Sequence, residues 1–156
     1  MQIASCLRQQ GQRLVTAESC TGGLIAAACT SLAGSSDWFD RGFVTYSNAA
    51  KSTQLGVPAP LIEHHGAVSE TVARAMAAGA LAHADAHWSV AVTGIAGPGG
   101  GSTHKPVGLV WLAWGYPGGR VDARAYHFQG DRAAVRGQSV GQALAGLWER
   151  LQATTT

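Results

Sequence analysis

Strand-like segments alternate with helical segments along this chain, and the alternation limits the folds that it can adopt. Residues 13–17 carry Leu, Val and Thr at their centre and predict a strand. A segment with two adjacent glycines, 18–23, follows at once, and the Ala-rich residues 24–33 predict a helix that ends at Gly34. Because the same alternation continues along the chain, the pattern favours a layered α/β protein.

The predicted order of elements is helix, strand, helix, strand, two helices, three strands and a closing helix. Besides the elements above, we expect helices at 2–11, 48–56 (capped by Asn48), 69–84 and from the cap Asp131 onward, and strands at 41–47, 89–93, 107–114 and 121–128. The connections after residue 93 imply at least one antiparallel strand. Mixed strands with helices on both faces predict a three-layer α/β/α sandwich with a mixed, mostly parallel sheet.

Composition excludes several classes of protein. At 156 residues, the chain is most simply a single domain spanning residues 1–156. The net charge is +2 and no run of Lys or Arg could follow a phosphate backbone, so we expect no nucleic-acid partner, while a small anionic substrate fits. Three cysteines without CxxC spacing, and no apolar segment long enough to span a bilayer, predict a reduced cytoplasmic protein with no membrane association.

Three segments leave predicted strand ends through glycine or small hydroxyl residues, at 18–23, 34–36 and 94–101. In an open α/β sheet, loops of this kind bind ligands where they converge. Amides of the first segment can face an anion, but it lacks the Gly-Lys-Ser/Thr of a P-loop, and close helix packing explains its glycines equally well. The third is either a ligand loop or a flexible connection.

The six histidines show no HxH or HExxH spacing, so we expect no metal.

Two residues carry the most distinctive chemistry. Only two of the eleven Lys and Arg residues are lysines, and one is Lys51. Burial can remove the proton of a lysine, which then acts as a base, whereas arginine stays charged. On spacing alone, a solvated helix residue is the simpler interpretation of Lys51. Cys20, at a predicted helix start that would stabilise a thiolate, is a rival nucleophile with no histidine near it in sequence.

Six motifs in order carry a resemblance that covers essentially the whole chain. They are 16–23 (TAESCTGG), 33–39 (AGSSDWF), 42–51 (GFVTYSNAAK), 65–70 (HGAVSE), 93–98 (TGIAGP) and 105–108 (KPVG). Together they resemble the CinA C-terminal domain family, in a stand-alone form without the separate N-terminal domain. The resemblance implies hydrolysis of nicotinamide mononucleotide to nicotinate mononucleotide and ammonia, in pyridine-nucleotide recycling, by a homo-oligomer that needs no cofactor.

The resemblance also implies an active site built on a Ser–Lys dyad. Ser36, the second serine of the Gly-Ser-Ser segment, matches the nucleophile, and Lys51 matches its base. Tyr46 and Ser19 fall at further catalytic positions. Substrate-binding positions are implied at Thr93, Gly97, Gly22, Gly23 and Arg132, the last as a phosphate anchor, with Arg136 close enough to compete for that role.

We therefore expect Ser36 to attack the carboxamide carbon while Lys51 accepts its proton, which requires a closed pocket that lowers the pKa of Lys51. Two alternatives from other classes stay open: a Cys20-dependent amidase, and a non-catalytic nucleotide-binding or partner module. For Trp38 and Phe39, core packing is the simpler interpretation and an aromatic pocket wall is the alternative, while exposure of these rings would favour self-association.

Overall fold

The computed structural model describes residues 1–155 of the chain. In this range the elements are α1 (Gln2–Gln10), β1 (Leu14–Glu18), α2 (Leu24–Thr30), a 3-10 turn (Ser35–Asp37), β2 (Phe39–Val44), α3 (Asn48–Leu55), α4 (Ala59–His65), α5 (Glu70–Ala82), β3 (Trp88–Gly94), β4 (Leu109–Gly115), β5 (Val121–His127) and α6 (Arg132–Thr155). Their order is the predicted one, with α4 added. None of the described helices combines the length and apolar character that a membrane crossing requires.

The five strands form one mixed sheet in the order β2-β1-β3-β4-β5. Strand β1 pairs in parallel with β2 on one side and with β3 on the other. Strand β4 runs antiparallel to both β3 and β5. Four of the five strands therefore point in one direction, which confirms the mixed, mostly parallel sheet and the antiparallel strand expected after residue 93.

Helices cover both faces of this sheet. One face packs against α1, α2 and α6, and the other against α3, α4 and α5. In β1 all five residues are buried, and neighbours alternate between the two cores: Leu14 lies in the first and Val15 in the second. A strand apolar on both faces is what the centre of a parallel sheet requires. The predicted three-layer α/β/α sandwich is confirmed.

Helix α4 and one helix cap differ from expectation. Residues 59–65 were not expected to be helical, but Pro58 and Pro60 sit at the start of α4, where proline is tolerated because the first helical N–H groups have no partner in the helix. Ser47, and not Asn48, caps α3: its hydroxyl accepts a hydrogen bond from the Ala50 amide at 3.0 Å. That cap fixes the first turn of α3, where Lys51 lies.

Candidate active site

The carboxyl ends of β1, β2 and β3 lie at one edge of the sheet, because these three strands are parallel. Each strand continues there into a loop: residues 19–23 after β1, 45–47 after β2 and 95–98 after β3. Helix α3 begins directly after the second loop. Topology therefore brings together the Glu-Ser-Cys, Thr-Tyr-Ser and Gly-Ile-Ala-Gly-Pro segments of the sequence.

Lys51 points from the first turn of α3 into this edge and is only 1% exposed. Its Nζ atom donates to Ser19 Oγ at 3.1 Å, to the Thr45 carbonyl at 3.1 Å and to the Tyr46 carbonyl at 3.4 Å. Among the described residues, no carboxylate forms an ion pair with it. The amine is thus held by neutral oxygen atoms alone.

This environment lowers the pKa of Lys51 below the ordinary lysine value of 10.5, chiefly because burial penalises the charged form. A lower pKa means that a larger fraction of the amine is neutral at any given pH. A neutral lysine amine can accept a proton, and the nearest proton donor among its contacts is the Ser19 hydroxyl. The pair therefore has the chemistry of a nucleophile with its general base.

The loop that carries Ser19 is tightly constrained. The Ser19 amide donates to the Val92 carbonyl of β3 at 3.0 Å, which fixes the start of the loop. Gly22 and Gly23 both adopt left-handed backbone conformations, with φ of 59° and 106°. L-residues with side chains rarely adopt such angles, so the two glycines let the chain turn from β1 into α2 within five residues.

A cleft of about 530 Å³ opens beside this loop, lined by Ala96, Pro98, Val107, Gly130, Asp131, Arg132, Ala133 and Arg136. Arg132 lies at its mouth and donates to the Gly97 carbonyl at 3.0 Å and to the Tyr46 hydroxyl at 2.9 Å. Arg136 is half-buried and donates to the carbonyls of Cys20 and Thr21, at 3.1 and 3.3 Å. Of these two arginines from one turn of α6, Arg136 joins the cleft to the Ser19 loop, and Arg132 joins it to Gly97 and Tyr46.

The CinA C-terminal domain family model matches residues 1–151. The chain belongs to this family. Nicotinamide-nucleotide amidohydrolase PncC of Escherichia coli K12 is 49% identical over 154 residues, which cover 99% of this chain and 93% of that protein. The protein of the same name from Pseudomonas putida is 57% identical over 141 residues, 90% of this chain and 88% of that one. The crystal structure of competence/damage inducible protein CihA from Agrobacterium tumefaciens matches with a TM-score of 0.92 and 48% identity over 96% and 91% of the two chains.

Ser36 does not lie at this edge of the CinA domain. It belongs to the 3-10 turn before β2, whereas Lys51 follows β2. Strand β2 has six residues, and at about 3.3 Å per residue its two ends are roughly 16 Å apart. Ser36 is also exposed. Within the described chain Lys51 therefore contacts Ser19 and not Ser36, and a catalytic role for Ser36 stays a prediction.

Cys20 is poorly suited to be a nucleophile. Its side chain is 6% exposed and packs in the apolar core beside α2. Burial raises the pKa of the thiol to about 11, so the thiolate is scarce at neutral pH. The helix start was expected to stabilise a thiolate, but desolvation outweighs that effect. Within residues 1–155, no cluster of three His, Cys, Asp or Glu side chains could hold a metal ion.

The other expected site residues have different surroundings. Thr93 is buried and its hydroxyl donates to the Ala67 carbonyl at 2.8 Å. Gly97 has φ of 82°, and a side chain there would collide with Val107. Tyr46 is 59% exposed, with its hydroxyl bound by Arg132.

Sequence reasoning missed which serine contacts the lysine of this CinA domain. One signal was present: Ser19 follows a predicted strand directly, Lys51 follows the next one, and parallel strands end at the same edge. The 34–36 segment was expected to leave a strand end, but it follows helix α2, and Ser36 precedes its strand. The contacts of Arg136 with the Ser19 loop had no signal in the sequence, since they join residues more than a hundred positions apart.

Proposed function

We propose that this protein is a nicotinamide-nucleotide amidohydrolase, which hydrolyses the carboxamide of nicotinamide mononucleotide to nicotinate mononucleotide and ammonia. The observation that carries the proposal is the 3.1 Å contact between Lys51 Nζ and Ser19 Oγ in a nearly closed site. The names of the E. coli and P. putida relatives, at 49% and 57% identity, support the same reaction.

In this proposal Ser19 is the nucleophile and Lys51 is its general base. The neutral amine takes the hydroxyl proton while Ser19 Oγ bonds to the carboxamide carbon, and the carbonyl electrons move to the oxygen. The resulting ammonium still donates to the carbonyls of Thr45 and Tyr46. We assign the oxyanion to the backbone amides of residues 20 and 21, which directly follow the nucleophile, since the Gly22 amide donates to the Ser19 carbonyl at 3.0 Å.

Collapse of the tetrahedral intermediate completes the first half of the reaction. Lys51 returns the proton to the amide nitrogen as the C–N bond breaks, so ammonia leaves and an acyl ester remains on Ser19. In the second half, neutral Lys51 takes a proton from water while the water oxygen attacks the ester. That proton then passes to Ser19 Oγ, the acid product leaves, and the dyad is restored.

The cleft supplies binding for the rest of the substrate. Its volume of about 530 Å³ lies within the roughly 300–1,000 Å³ that small-molecule sites occupy. Arg132 is exposed at the mouth, and its guanidinium can engage a phosphate in a bidentate manner. Each arginine donates to two neutral oxygen atoms, but Arg132 is exposed and Arg136 is half-buried, so we assign the phosphate to Arg132. Backbone at Gly22, Gly23 and Gly97 lets the substrate approach closely, and Thr93 orders the adjoining segment.

A non-catalytic binding module is a weaker proposal for this chain. Burying an amine without a carboxylate costs stability, and Lys51 is buried in that way. Burial of the amine is useful if neutral Lys51 acts as a general base. It brings no benefit to a domain that only binds a nucleotide.

The cellular setting of this enzyme is also a proposal. We place it in the cytoplasm, in pyridine-nucleotide recycling, as a homo-oligomer. Trp38 is 2% exposed and packs edge-on against the half-buried Phe39, so these rings do not support self-association as expected. Exposed Leu24, Val44 and Tyr46 are the better candidates for an apolar contact surface.

Ammonia release tests the proposal directly. Purified protein incubated with nicotinamide mononucleotide should produce equal amounts of ammonia, measured with glutamate dehydrogenase, and of nicotinate mononucleotide, measured by mass spectrometry. A Cys20→Ala variant should keep this activity, because the thiol takes no part. Folded protein that releases no ammonia would overturn the assignment, and loss of activity in Cys20→Ala alone would favour the cysteine mechanism.

A further inference from the structure

Glu18, the last residue of β1, is a fully buried carboxylate beside the Ser19 loop. Its Oε1 atom accepts hydrogen bonds from the Thr21 hydroxyl at 2.6 Å and from the Ile25 amide at 2.8 Å. Its Oε2 atom accepts one from the Ala26 amide at 3.0 Å. The side chain of the residue before the loop thus binds the loop itself and the first turn of the helix that follows it.

The backbone of Glu18 reaches the other member of the dyad. Its carbonyl accepts a hydrogen bond from the Thr45 amide at 2.8 Å. The carbonyl of Thr45 in turn accepts from Lys51 Nζ at 3.1 Å. One residue therefore connects, through its side chain, to the loop that carries Ser19 and, through its main chain, to the segment that holds Lys51.

Capping the start of α2 would not by itself require a glutamate at position 18. Ser, Thr, Asp or Asn at a helix start satisfies the same kind of amide, and burying a carboxylate is expensive unless it is fully hydrogen-bonded. Among the described residues, no Lys, Arg or His forms an ion pair with Glu18. What the longer, charged side chain adds is three simultaneous bonds that span the whole 19–23 loop.

We propose that Glu18 is a positioning residue for the amidase reaction: it closes the 19–23 loop so that Ser19 Oγ is held against Lys51 Nζ. This inference rests on the proposed Ser19–Lys51 dyad. Glu18 contacts neither the reacting atoms nor Lys51, so it acts on the geometry of the dyad and not on its proton chemistry.

The decisive variant is Glu18→Gln, which keeps the size of the side chain. An amide has one acceptor oxygen, so its NH₂ group must face a backbone or hydroxyl donor, and at least one of the three bonds is lost. A displacement of about 1 Å at a reacting group costs on the order of a hundredfold in rate. We expect kcat to fall roughly tenfold to a hundredfold, with KM for nicotinamide mononucleotide and the pH profile of kcat/KM unchanged.

The matched control is Asp122→Asn, the same carboxylate-to-amide change at the opposite edge of the sheet. Asp122 accepts hydrogen bonds from the Tyr116 hydroxyl at 2.8 Å and from Arg150 Nε at 2.9 Å. Both variants should lower Tm, but only Glu18→Gln should lower kcat per folded molecule. As a second readout, labelling of Ser19 by a serine-directed fluorophosphonate, followed by intact mass, should slow with Glu18→Gln and not with Asp122→Asn.

If Glu18→Gln does not fold, Thr21→Val removes one of the three bonds and leaves the carboxylate in place; it should lower kcat less, with the same unchanged KM. Wild-type kcat in the folded variant, or equal losses in the variant and its Asp122→Asn control, would overturn the positioning role. The dyad is judged separately by Ser19→Ala: if that variant retains activity, the proposed dyad fails, and with it the basis of the positioning role, whatever Glu18→Gln shows. The proposed function itself fails only if the folded wild-type protein releases no ammonia.

Discussion

The two edges of the sheet hold positive charge in opposite ways. At the edge where the parallel strands begin, arginines pair with carboxylates: Arg13 contacts Asp40 at 3.1 Å and Asp85 at 3.3 Å, and Arg41 contacts Asp40 at 2.6 Å. At the edge where these strands end, Lys51 is buried against neutral oxygen atoms. The first edge is partly solvated, and the second is nearly closed.

This difference in the partners of the charged groups determines where acid–base chemistry can occur. A guanidinium beside carboxylates keeps its charge at any working pH, so the first edge can contribute only attraction between charges. A buried amine without a carboxylate loses part of its proton affinity, so the second edge can exchange protons at a lower pH than an exposed lysine could. Serines are present at both edges, as Ser36 and Ser19, but only one has a base beside it.

Exchanging the two serines for alanine gives the largest expected contrast between the edges. Ser19→Ala removes the nucleophile and should lower kcat at least about a thousandfold. Ser36→Ala should stay within about twofold of wild type, because Ser36 is exposed and lies at the far end of β2. Steady-state ammonia release, with circular dichroism to verify folding, makes the comparison; the reverse ranking would restore Ser36 as the nucleophile.

The pH dependence of activity tests the closed edge next. Burial lowers the pKa of Lys51 below 10.5, and in the proposed mechanism the neutral amine is the active form. As the pH falls below that lowered pKa, kcat/KM should decline by about tenfold per pH unit, and the midpoint of this decline should lie below 10.5. Lys51→Arg should be inactive throughout, because its guanidinium stays charged. A limb centred near 10.5, or an active arginine variant, would contradict a buried neutral base.

A smaller effect is expected at the open edge. Asp40→Asn removes the carboxylate shared by Arg13 and Arg41, whose side chains are 31% and 50% exposed. Partly solvated ion pairs contribute little, so the free energy of unfolding should fall by about 1 kcal/mol, and kcat should be unchanged. Urea denaturation at pH 7 measures the first quantity. A large drop in kcat would show that the two edges are coupled.

Much of the fold could be predicted because it follows from local patterns. The strand at 13–17 and the Ala-rich helix after Gly23 were recognisable from residue type and glycine placement, and the observed elements begin within one residue of them. Helix α4 was missed because prolines at its start resemble a turn. The alternation of strands with helices along the chain also indicated that helices cover both faces of the sheet.

The site was harder to predict because its geometry depends on which strands pair. Lys51 was identified from its residue type and from the surrounding motif. Its burial, which lowers its pKa, depends on the folded chain and could not be read from the sequence. The motif assigned its partner to Ser36, and the parallel pairing of β1 with β2, which no local pattern encodes, places Ser19 there instead. Likewise, desolvation of Cys20 depends on core residues distant in sequence.

The scarcity of lysine has a practical consequence for chemical labelling. Of the two lysines, Lys105 is half-exposed, while Lys51 is 1% exposed. Acylating reagents that modify lysine amines should therefore attach a dye at Lys105 and leave Lys51 of the folded protein untouched. Modification at Lys51 would then appear only in molecules that have opened, so mass spectrometry of one peptide would count unfolded protein in a mixed sample.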